Sequence, residues 1–186
     1  MYSEICMKLV IVESPTKTKS LSKYLGNEYE IMASMGHIRD LPKSKMGIAI
    51  KEKSSGIASV QNTETRNDSV EFEFVPTYET MDKKDDQVRR LKAVAAKADE
   101  IILASDPDRE GEAIAWHVKE MLSEMDSGSK SGMTRVKEKG KSKVSPIFKR
   151  IAFHSITKDA ILEALANPRE IDMGLVNSQQ ARRFLD

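Results

Sequence analysis

The sequence predicts an α/β protein in which helices flank a mostly parallel sheet. Short apolar runs at residues 8–12 and 101–104 are each followed by a turn signal and then by a segment with helical periodicity. Strands that alternate with helices in this way pair in parallel and are covered on both faces. An acid follows both strands, Glu13 after the first and Asp106 soon after the second. Because ligands bind beyond the carboxyl ends of such strands, these acids indicate where a site is expected.

The composition excludes several classes of protein. Charged residues make up 32% of the 186 residues but sum to a net charge of +1, so contacts with nucleic acid must come from local patches. A single cysteine excludes a disulfide framework, and three histidines argue against a zinc site. No apolar run reaches membrane-spanning length, and no secretory signal is recognisable. We therefore expect a cytoplasmic protein without a membrane partner.

The first part of the chain carries one clear strand–helix pair. After the strand at residues 8–12, Ser14 fits an N-cap and Pro15 fits the first helical position. The helix is therefore expected to run from Pro15 to about Leu25. Residues 30–34 are a second, weaker strand candidate.

The middle of the chain contains an interruption. Residues 43–69 lose periodicity and fill with Lys, Ser, Gly, Asn and Thr, which predicts a long mobile insertion. Alternation returns at residues 70–75 and indicates a strand that stops at Pro76. An amphipathic helix is expected over residues 80–98, directly before the strand at 101–104.

The last part of the chain predicts three helices and one strand. A helix with an apolar stripe covers residues 110–125. Residues 127–145 hold six Lys or Arg and one Glu, and form either a solvated mobile insertion or a phosphate-attracting arm. A short strand is expected at residues 151–153. Thr157 caps the next helix, and the last helix begins around Asp172.

Four carboxylates crowd into residues 106–112, directly after a predicted buried strand. Asp106, Asp108 and Glu110 are spaced i, i+2, i+4, which puts their side chains on one side of an extended segment. Such oxygen ligands suit Mg²⁺, which takes one or two carboxylates and keeps waters or substrate phosphates elsewhere. If the two strands are neighbours, Glu13 completes a four-carboxylate site. The alternative for the run alone is a solvated acidic turn.

Four motifs stand in order along the chain: VESPTK at 12–17, GHIRDLP at 36–42, DPDREGE at 106–112 and QQARR at 179–183. Together they resemble the N-terminal part of type IA DNA topoisomerases, in particular the bacterial ones. The strand ending in glutamate and the paired aspartates are similar to the Toprim domain, which these enzymes share with primases and some nucleases. The resemblance implies a Toprim domain over residues 5–156 and the beginning of an α-helical strand-gate domain over residues 157–186.

The resemblance also implies a reaction and its partners. Enzymes of this family relax negatively supercoiled DNA without ATP. A tyrosine attacks a phosphodiester, forms a 5′-phosphotyrosine and expels a 3′-hydroxyl, and a strand passes through the gap before religation. The implied partners are a single-stranded DNA segment and the remaining domains of the full enzyme. The implied cofactor is Mg²⁺, and the implied state is a monomer associated with the nucleoid.

The resemblance assigns roles to individual residues. Catalytic roles fall to Glu13, Lys17, His37 and Arg182. Metal ligation falls to Asp106, Asp108 and Glu110. DNA contacts fall to Arg39, Arg109, Arg182 and Arg183. Glu13 would be the general acid, because crowding by other carboxylates raises the pKa of an acid, although Lys17 or Mg²⁺ would lower it again. His37 would be a hydrogen-bonding member of the site rather than a base. Each residue also has an ordinary structural role as its alternative.

The nucleophilic tyrosine of the family has no counterpart in this sequence. The chain contains Tyr2, Tyr24, Tyr29 and Tyr78, and none of them lies in the family's catalytic context. The sequence stops at Asp186, inside the helix that carries QQARR, so a truncated fragment is expected. Such a fragment should fold and bind Mg²⁺ weakly, but it should not cleave or relax DNA alone.

Functions of other classes compete with this interpretation. A self-contained Toprim nuclease or primase-like protein would use the same carboxylates for hydrolysis or nucleotide transfer, and predicts metal-dependent nicking without a tyrosine. A non-catalytic nucleic-acid-binding module would rely on the basic residues of 127–145 for salt-sensitive phosphate attraction. A haloacid-dehalogenase-like phosphatase also places a DxD after a strand, but usually on its first strand, and the first strand here ends in Glu13.

Overall fold

The structure of the protein is a computed structural model that describes residues 7–44, 47–52, 72–125 and 146–185. The described chain divides into two compact units, one formed by Arg39–Thr80 and the other by the residues on either side of it. The predicted insertion at residues 127–145 lies outside the described residues. None of the described helices is long and apolar enough to cross a lipid bilayer.

The described chain contains eight strands and five helices. In chain order they are β1 (Lys8–Val12), α1 (Pro15–Leu21), β2 (Tyr29–Ala33), β3 (Arg39–Asp40), β4 (Ile48–Glu52), β5 (Phe72–Pro76), β6 (Glu79–Thr80), α2 (Asp85–Ala95), β7 (Glu100–Leu103), α3 (Arg109–Ser123), β8 (Ile147–Arg150), α4 (Lys158–Ala166) and α5 (Met173–Leu185). Strands β1, β2, β7 and β8 form a sheet in the order β2-β1-β7-β8, and every neighbouring pair is parallel. The predicted fold class is therefore confirmed.

Alternation along the central strands produces a core on both faces of the sheet. Leu9 and Ile11 of β1 pack on one face with residues of α2 and α3. Val10 and Val12 pack on the other face with Leu21 of α1 and with residues of α4. Each fully buried aliphatic side chain contributes roughly 1.5–3 kcal/mol. Burial on both faces explains why β1 is a continuous apolar run rather than an alternating one.

Two helix boundaries differ from the sequence prediction for identifiable reasons. Helix α1 ends at Leu21 rather than near residue 25, and the hydroxyl of Ser22, its C-cap residue, donates to the carbonyl of Thr18 at 2.8 Å. Helix α2 begins at Asp85 rather than at residue 80, because β6 precedes it and Lys83 adopts a positive φ of 66°. The N-cap roles of Ser14 and Thr157 are confirmed.

The fourth strand of the sheet lies earlier than predicted. It was expected at residues 151–153, but β8 spans Ile147–Arg150. Ile151 and Phe153 are buried, so the apolar run continues past the end of the strand. The amide of Ile151 still donates to the carbonyl of Leu103, the last residue of β7, at 2.9 Å. Hydrophobicity at 151–153 therefore reports burial beyond the sheet rather than strand pairing.

The predicted insertion at residues 43–69 is a strand in part. Strand β4 covers Ile48–Glu52 and pairs antiparallel with β5 in the register Ile50↔Phe74. The pattern Ile-Ala-Ile is too short for a clear periodicity, and its partner lies about twenty residues further along the chain. Residues 45–46 and 53–71 lie outside the described residues.

The predicted domain boundary at residue 157 stays a prediction, and helices α4 and α5 follow it. Helix α4 contributes Ile161 and Ala164 to the same buried cluster as Val10 and Val12. Helix α5 packs against α3. The described residues after 157 therefore belong to the compact unit that contains the sheet.

In the described part of the Arg39–Thr80 unit, Tyr78 is a titratable group with a strongly shifted pKa. Burial raises the pKa of Tyr78 to about 12, and Asp40 adds to this effect while Arg39 opposes it. A folded-state pKa above the unfolded value of 10.0 means that the neutral phenol stabilises the fold up to about pH 10. That contribution is lost as the pH rises through about 12.

We expect a late step in the absorbance titration of the tyrosines, because burial holds Tyr78 protonated after the unfolded value is passed. Titration monitored at the phenolate absorbance band should show this step near pH 12, and Tyr78→Phe should remove it. The measurement must be made where circular dichroism still reports a folded chain. A curve for Tyr78→Phe that matches the wild type above pH 11 would contradict the assignment.

Candidate metal and acid–base site

Two acids and one ammonium group meet at the carboxyl edge of the sheet. Strands β1 and β7 pair in parallel with Ile11 opposite Leu103, so the segments that follow them leave the sheet side by side. Glu13 follows β1, and Asp106 lies in the loop after β7. The Nζ of Lys17 donates to Glu13 Oε1 and, at 2.5 Å, to Asp106 Oδ1.

Local structure explains why Lys17 reaches both acids. Ser14 caps α1 by accepting a hydrogen bond from the amide of Thr16, and Pro15 occupies the first turn. Lys17 therefore lies four residues after Glu13, on the first turn of a helix that begins at the edge of the sheet. The side chain of Lys17 is only 14% exposed, and that of Glu13 is 22% exposed. Partial burial strengthens the attraction between these charges.

The environment moves the pKa values of the two acids in opposite directions. Burial raises the pKa of Glu13, and the proximity of Asp106 adds to this, although the hydrogen bond from Lys17 opposes it. Burial alone would also raise the pKa of Asp106, but hydrogen bonds with Lys17 and Glu13 lower it below the ordinary value. Two neighbouring carboxyls with separated pKa values are suited to an acid and a permanently charged role, respectively. Glu13, whose pKa is raised, fits the role of the acid.

The pKa of Lys17 is also displaced. Its burial lowers the pKa, yet hydrogen bonds to Asp106 and Glu13 outweigh burial and raise it above the ordinary value. The ammonium form therefore persists between the two carboxyls throughout the neutral range. Lys17 supplies a fixed positive charge at the position where both acids converge.

The loop between β7 and α3 is held by short polar contacts. The hydroxyl of Ser105 donates to the carbonyl of Gly111 at 2.6 Å, in a buried position. The carboxylate of Asp108 accepts a hydrogen bond from the amide of Gly111 at 2.7 Å and so caps α3. A capping carboxylate at a helix N-terminus is also favoured by the helix dipole.

The three acids of the predicted metal cluster do not converge in this structure. The i, i+2, i+4 argument requires an extended chain through residue 110, but α3 already begins at Arg109. Asp108 is extended, with φ −124° and ψ 173°, and its side chain caps the helix. Glu110 is helical and lies 2.5 Å from Nε2 of His37. Among the described residues, no three His, Cys, Asp or Glu side chains surround one point that could hold a metal ion.

The donor set at the sheet edge nevertheless suits a hard divalent cation. Glu13 and Asp106 converge on a single positive charge, that of Lys17. Mg²⁺ commonly takes one or two carboxylates and completes its shell with waters or substrate phosphates. Two converging carboxylates therefore fit Mg²⁺ held jointly with a substrate, and they do not fit an ion enclosed by protein ligands alone.

A cationic cleft of about 360 Å³ adjoins the acidic loop. Helices α3 and α5 supply its lining, which comprises Arg109, Glu110, Gln179, Arg182 and Arg183. Both arginines of QQARR line the cleft, together with the first glutamine of that motif. Glu110 connects the cleft to His37 through their hydrogen bond. Arg39 lies on β3, in the Arg39–Thr80 unit.

Sequence reasoning missed three residues that hold this region together. Glu112 is 0% exposed and pairs with Arg150 and Arg169. Arg150 is itself 2% exposed. A signal was present, because Glu112 is the only charged residue in an otherwise apolar run over residues 111–115. Arg169 follows Pro168 in a loop, and no sequence pattern distinguished it.

The fold and the site together define a class of protein. It is an α/β domain whose parallel strands deliver acids to one edge, beside helices that carry cationic side chains. The family model for the Toprim domain matches residues 8–139, which is more than half of the chain. The chain therefore belongs to the Toprim domain family.

Within this family, the chain is similar to individual bacterial proteins. The chain is 46% identical over 180 residues to DNA topoisomerase 1 of Rickettsia felis and 45% identical to that of Rickettsia prowazekii, in each case over 97% of this chain. It is also similar to the full-length topoisomerase I structure from Thermotoga maritima, with a TM-score of 0.64 and 40% identity over 95% of this chain. The chain spans 19% of the length of the two Rickettsia proteins and 23% of the Thermotoga chain. The resemblance to the bacterial enzymes predicted from the four motifs is confirmed.

We expect Gly111→Ala to destabilise the protein by about 1–3 kcal/mol, because overpacking against backbone atoms cannot relax easily. A Cβ at this position would lie 2.2 Å from the carbonyl oxygen of Asp106 and 2.9 Å from its amide nitrogen. Urea denaturation monitored by circular dichroism provides the measurement.

Gly174→Ala is the matched control for this substitution. Its added Cβ would meet only a side-chain oxygen of Asp172, at 3.1 Å. We expect it to leave the free energy of unfolding unchanged or to raise it slightly, since Ala has the higher helix propensity. A Gly111→Ala variant as stable as Gly174→Ala would show that the loop is not packed as described.

Proposed function

We propose that this chain is the metal-binding, acid–base part of a type IA DNA topoisomerase. The enzyme would relax negatively supercoiled DNA by transient cleavage of one strand, strand passage and religation through a 5′-phosphotyrosine. The observation that carries the proposal is the convergence of Glu13 and Asp106 on Lys17 at the edge of a Toprim sheet. A monomer located in the cytoplasm and associated with the nucleoid is part of the same proposal.

The proposed role of Glu13 follows from proton balance. When a tyrosine hydroxyl loses its proton to water and its oxygen bonds to phosphorus, the bond from phosphorus to the 3′ oxygen breaks, and that oxygen must gain a proton. Burial raises the pKa of Glu13, which favours the protonated form that such a step requires. In religation the same carboxylate would take the proton back. Lys17, with its persistent charge, would attract the phosphate to this acid.

The proposed DNA contacts lie in the cationic cleft. Arg109, Arg182 and Arg183 present three guanidinium groups beside Gln179 in one cleft. Guanidinium groups bind phosphate oxygens through paired hydrogen bonds, and so suit a single-stranded backbone that must be held in a fixed register. Arg39 is proposed as a further phosphate contact, and His37 as the residue that orients Glu110 through their hydrogen bond.

Mg²⁺ is proposed to bind at the carboxylates beside Lys17. Asp106 is the first candidate ligand, because its lowered pKa keeps it ionised, and Asp108 and Glu110 are the others. When bound, the ion would neutralise and orient backbone phosphates. Asp108 and Glu110 already hold the α3 N-terminus and His37, so their participation requires these contacts to open or to be shared.

Isothermal titration with Mg²⁺ tests the metal proposal. Asp106→Asn should weaken binding by about tenfold or more, the scale reached even when a supporting residue of a metal site is lost. Lys17→Met should tighten binding, because the ammonium no longer competes for the two carboxylates. Asp86→Asn, an equal charge change on an exposed residue of α2, is the control. Equal affinity in the wild type and Asp106→Asn would remove this residue from the metal site.

A plasmid assay separates the proposal from its nuclease alternative. Incubated with negatively supercoiled plasmid and Mg²⁺, the chain alone should leave the plasmid supercoiled, because none of its tyrosines fits the catalytic context of the family. Relaxed closed circles would contradict this expectation. Nicked circles that disappear in Asp106→Asn would favour a Toprim nuclease, since hydrolysis by the carboxylates requires no tyrosine.

A further inference from the structure

Glu112 is the centre of a buried ionic network beside the acidic loop. Its side chain is fully buried and accepts four hydrogen bonds. The first oxygen accepts from Nη2 of Arg150 at 2.8 Å and from Nη2 of Arg169. The second accepts from Nε of Arg150 at 3.4 Å and from the amide of Asp172 at 3.2 Å. Every donor except Arg150 comes from the segment between α4 and α5.

Arg150 extends the network to the backbone of the acidic loop. Its Nη2 donates to the carbonyl of Asp106 at 2.9 Å, and its Nη1 donates to the carbonyl of Leu103 at 3.2 Å and to that of Ile151. One guanidinium group therefore links the end of β7, the acidic loop and the end of β8. Its burial and these contacts fix it in this position.

Asp172 extends the network to the helix that carries QQARR. Its amide donates to Glu112, and its carboxylate accepts from the amides of Gly174 at 2.9 Å and Leu175 at 3.1 Å. Asp172 therefore caps α5 while it is attached to Glu112. The first turn of α5 is connected through two residues to the helix that follows the acidic loop.

The energetics argue that this network serves geometry more than stability. Removing charges from water is costly, and an apolar cluster of similar volume is often as stable as a buried ion pair. Apolar contacts are non-directional, whereas the bonds to Glu112 fix three separate segments at defined angles and distances. A directional network is most useful where two groups of side chains must keep a constant separation. Here those groups are the carboxylates of the loop and the arginines of α5.

We propose that Glu112 is a positioning residue that holds the acidic loop and helix α5 at a fixed distance and orientation to each other. Through Arg150 it fixes the backbone of Asp106, and through Arg169 and Asp172 it fixes the start of α5. The carboxylates at the sheet edge and the cationic cleft then keep their spacing when DNA binds. The benefit for DNA binding rests on the proposed function, whereas the coupling of the loop to α5 through Glu112 is a property of the protein without DNA.

Hydrogen exchange measured by NMR tests the coupling without DNA or metal. Glu112→Gln preserves the shape of the side chain but replaces one acceptor oxygen with an NH₂ group that faces the arginines. We expect the amides of Gly111, Gly174 and Leu175 to exchange at least about tenfold faster, while that of Val10 in β1 is unchanged. Acceleration at both ends of the network, with the sheet unaffected, is the signature of positioning rather than of general stability.

Two outcomes would overturn the proposal. In one, only the loop or only α5 responds to the substitution, so the two are not coupled. In the other, exchange in β1 accelerates as much as elsewhere, so Glu112 acts only on global stability. If Glu112→Gln does not fold, Arg169→Met decides by the same criteria, because Arg169 is 38% exposed and its loss is milder. Arg169→Lys retains the charge and should restore slow exchange.

Affinity for a single-stranded oligonucleotide is a second measurement. Glu112→Gln should weaken binding severalfold, and Arg182→Ala serves as the reference for direct loss of a contact in the cleft. A wild-type chain that does not bind DNA would contradict the proposed function but leave the exchange result intact. Slow exchange at both ends in Glu112→Gln would contradict the positioning role, whatever the wild-type affinity.

Discussion

The parallel pairing of β1 with β7 is the constraint on which the rest of the site depends. Their register brings the ends of two buried strands together, so the segments that carry Glu13 and Asp106 emerge side by side. Burial of both strands between two layers of helices holds this pairing in place. Helix α1 then places Lys17 between the acids, and α3 fixes the loop from the other side.

The sequence was sufficient for the α/β architecture and for placing Glu13 and Asp106 at the same edge of the sheet. Strong periodicity and caps at Ser14 and Thr157 determined those elements, since both signals are local. The placement of Glu110 was not predictable in the same way. Whether Glu110 is extended or helical depends on the exact residue at which α3 begins. A local pattern with period two cannot locate that transition.

Arg150 and Arg169 were missed for a different reason. Their partner Glu112 lies 38 and 57 residues away in sequence, and neither arginine stands in a pattern that a linear argument detects. Charged residues are normally exposed, so burial of an arginine is the weakest expectation from sequence alone. The three predicted metal ligands (Asp106, Asp108 and Glu110) and the three buried charges (Glu112, Arg150 and Arg169) are therefore opposite cases. In the first, neighbours in sequence have different partners, and in the second, distant residues share one.

The ammonium group of Lys17 has a consequence for how the protein folds. Carboxylates that converge without a counter-ion repel each other, and many such sites remain unfolded until a metal arrives. Here the chain supplies one positive charge against two carboxylates, so the repulsion between them is reduced without a metal ion. The edge of the sheet therefore does not depend on a divalent ion to relieve the repulsion between Glu13 and Asp106.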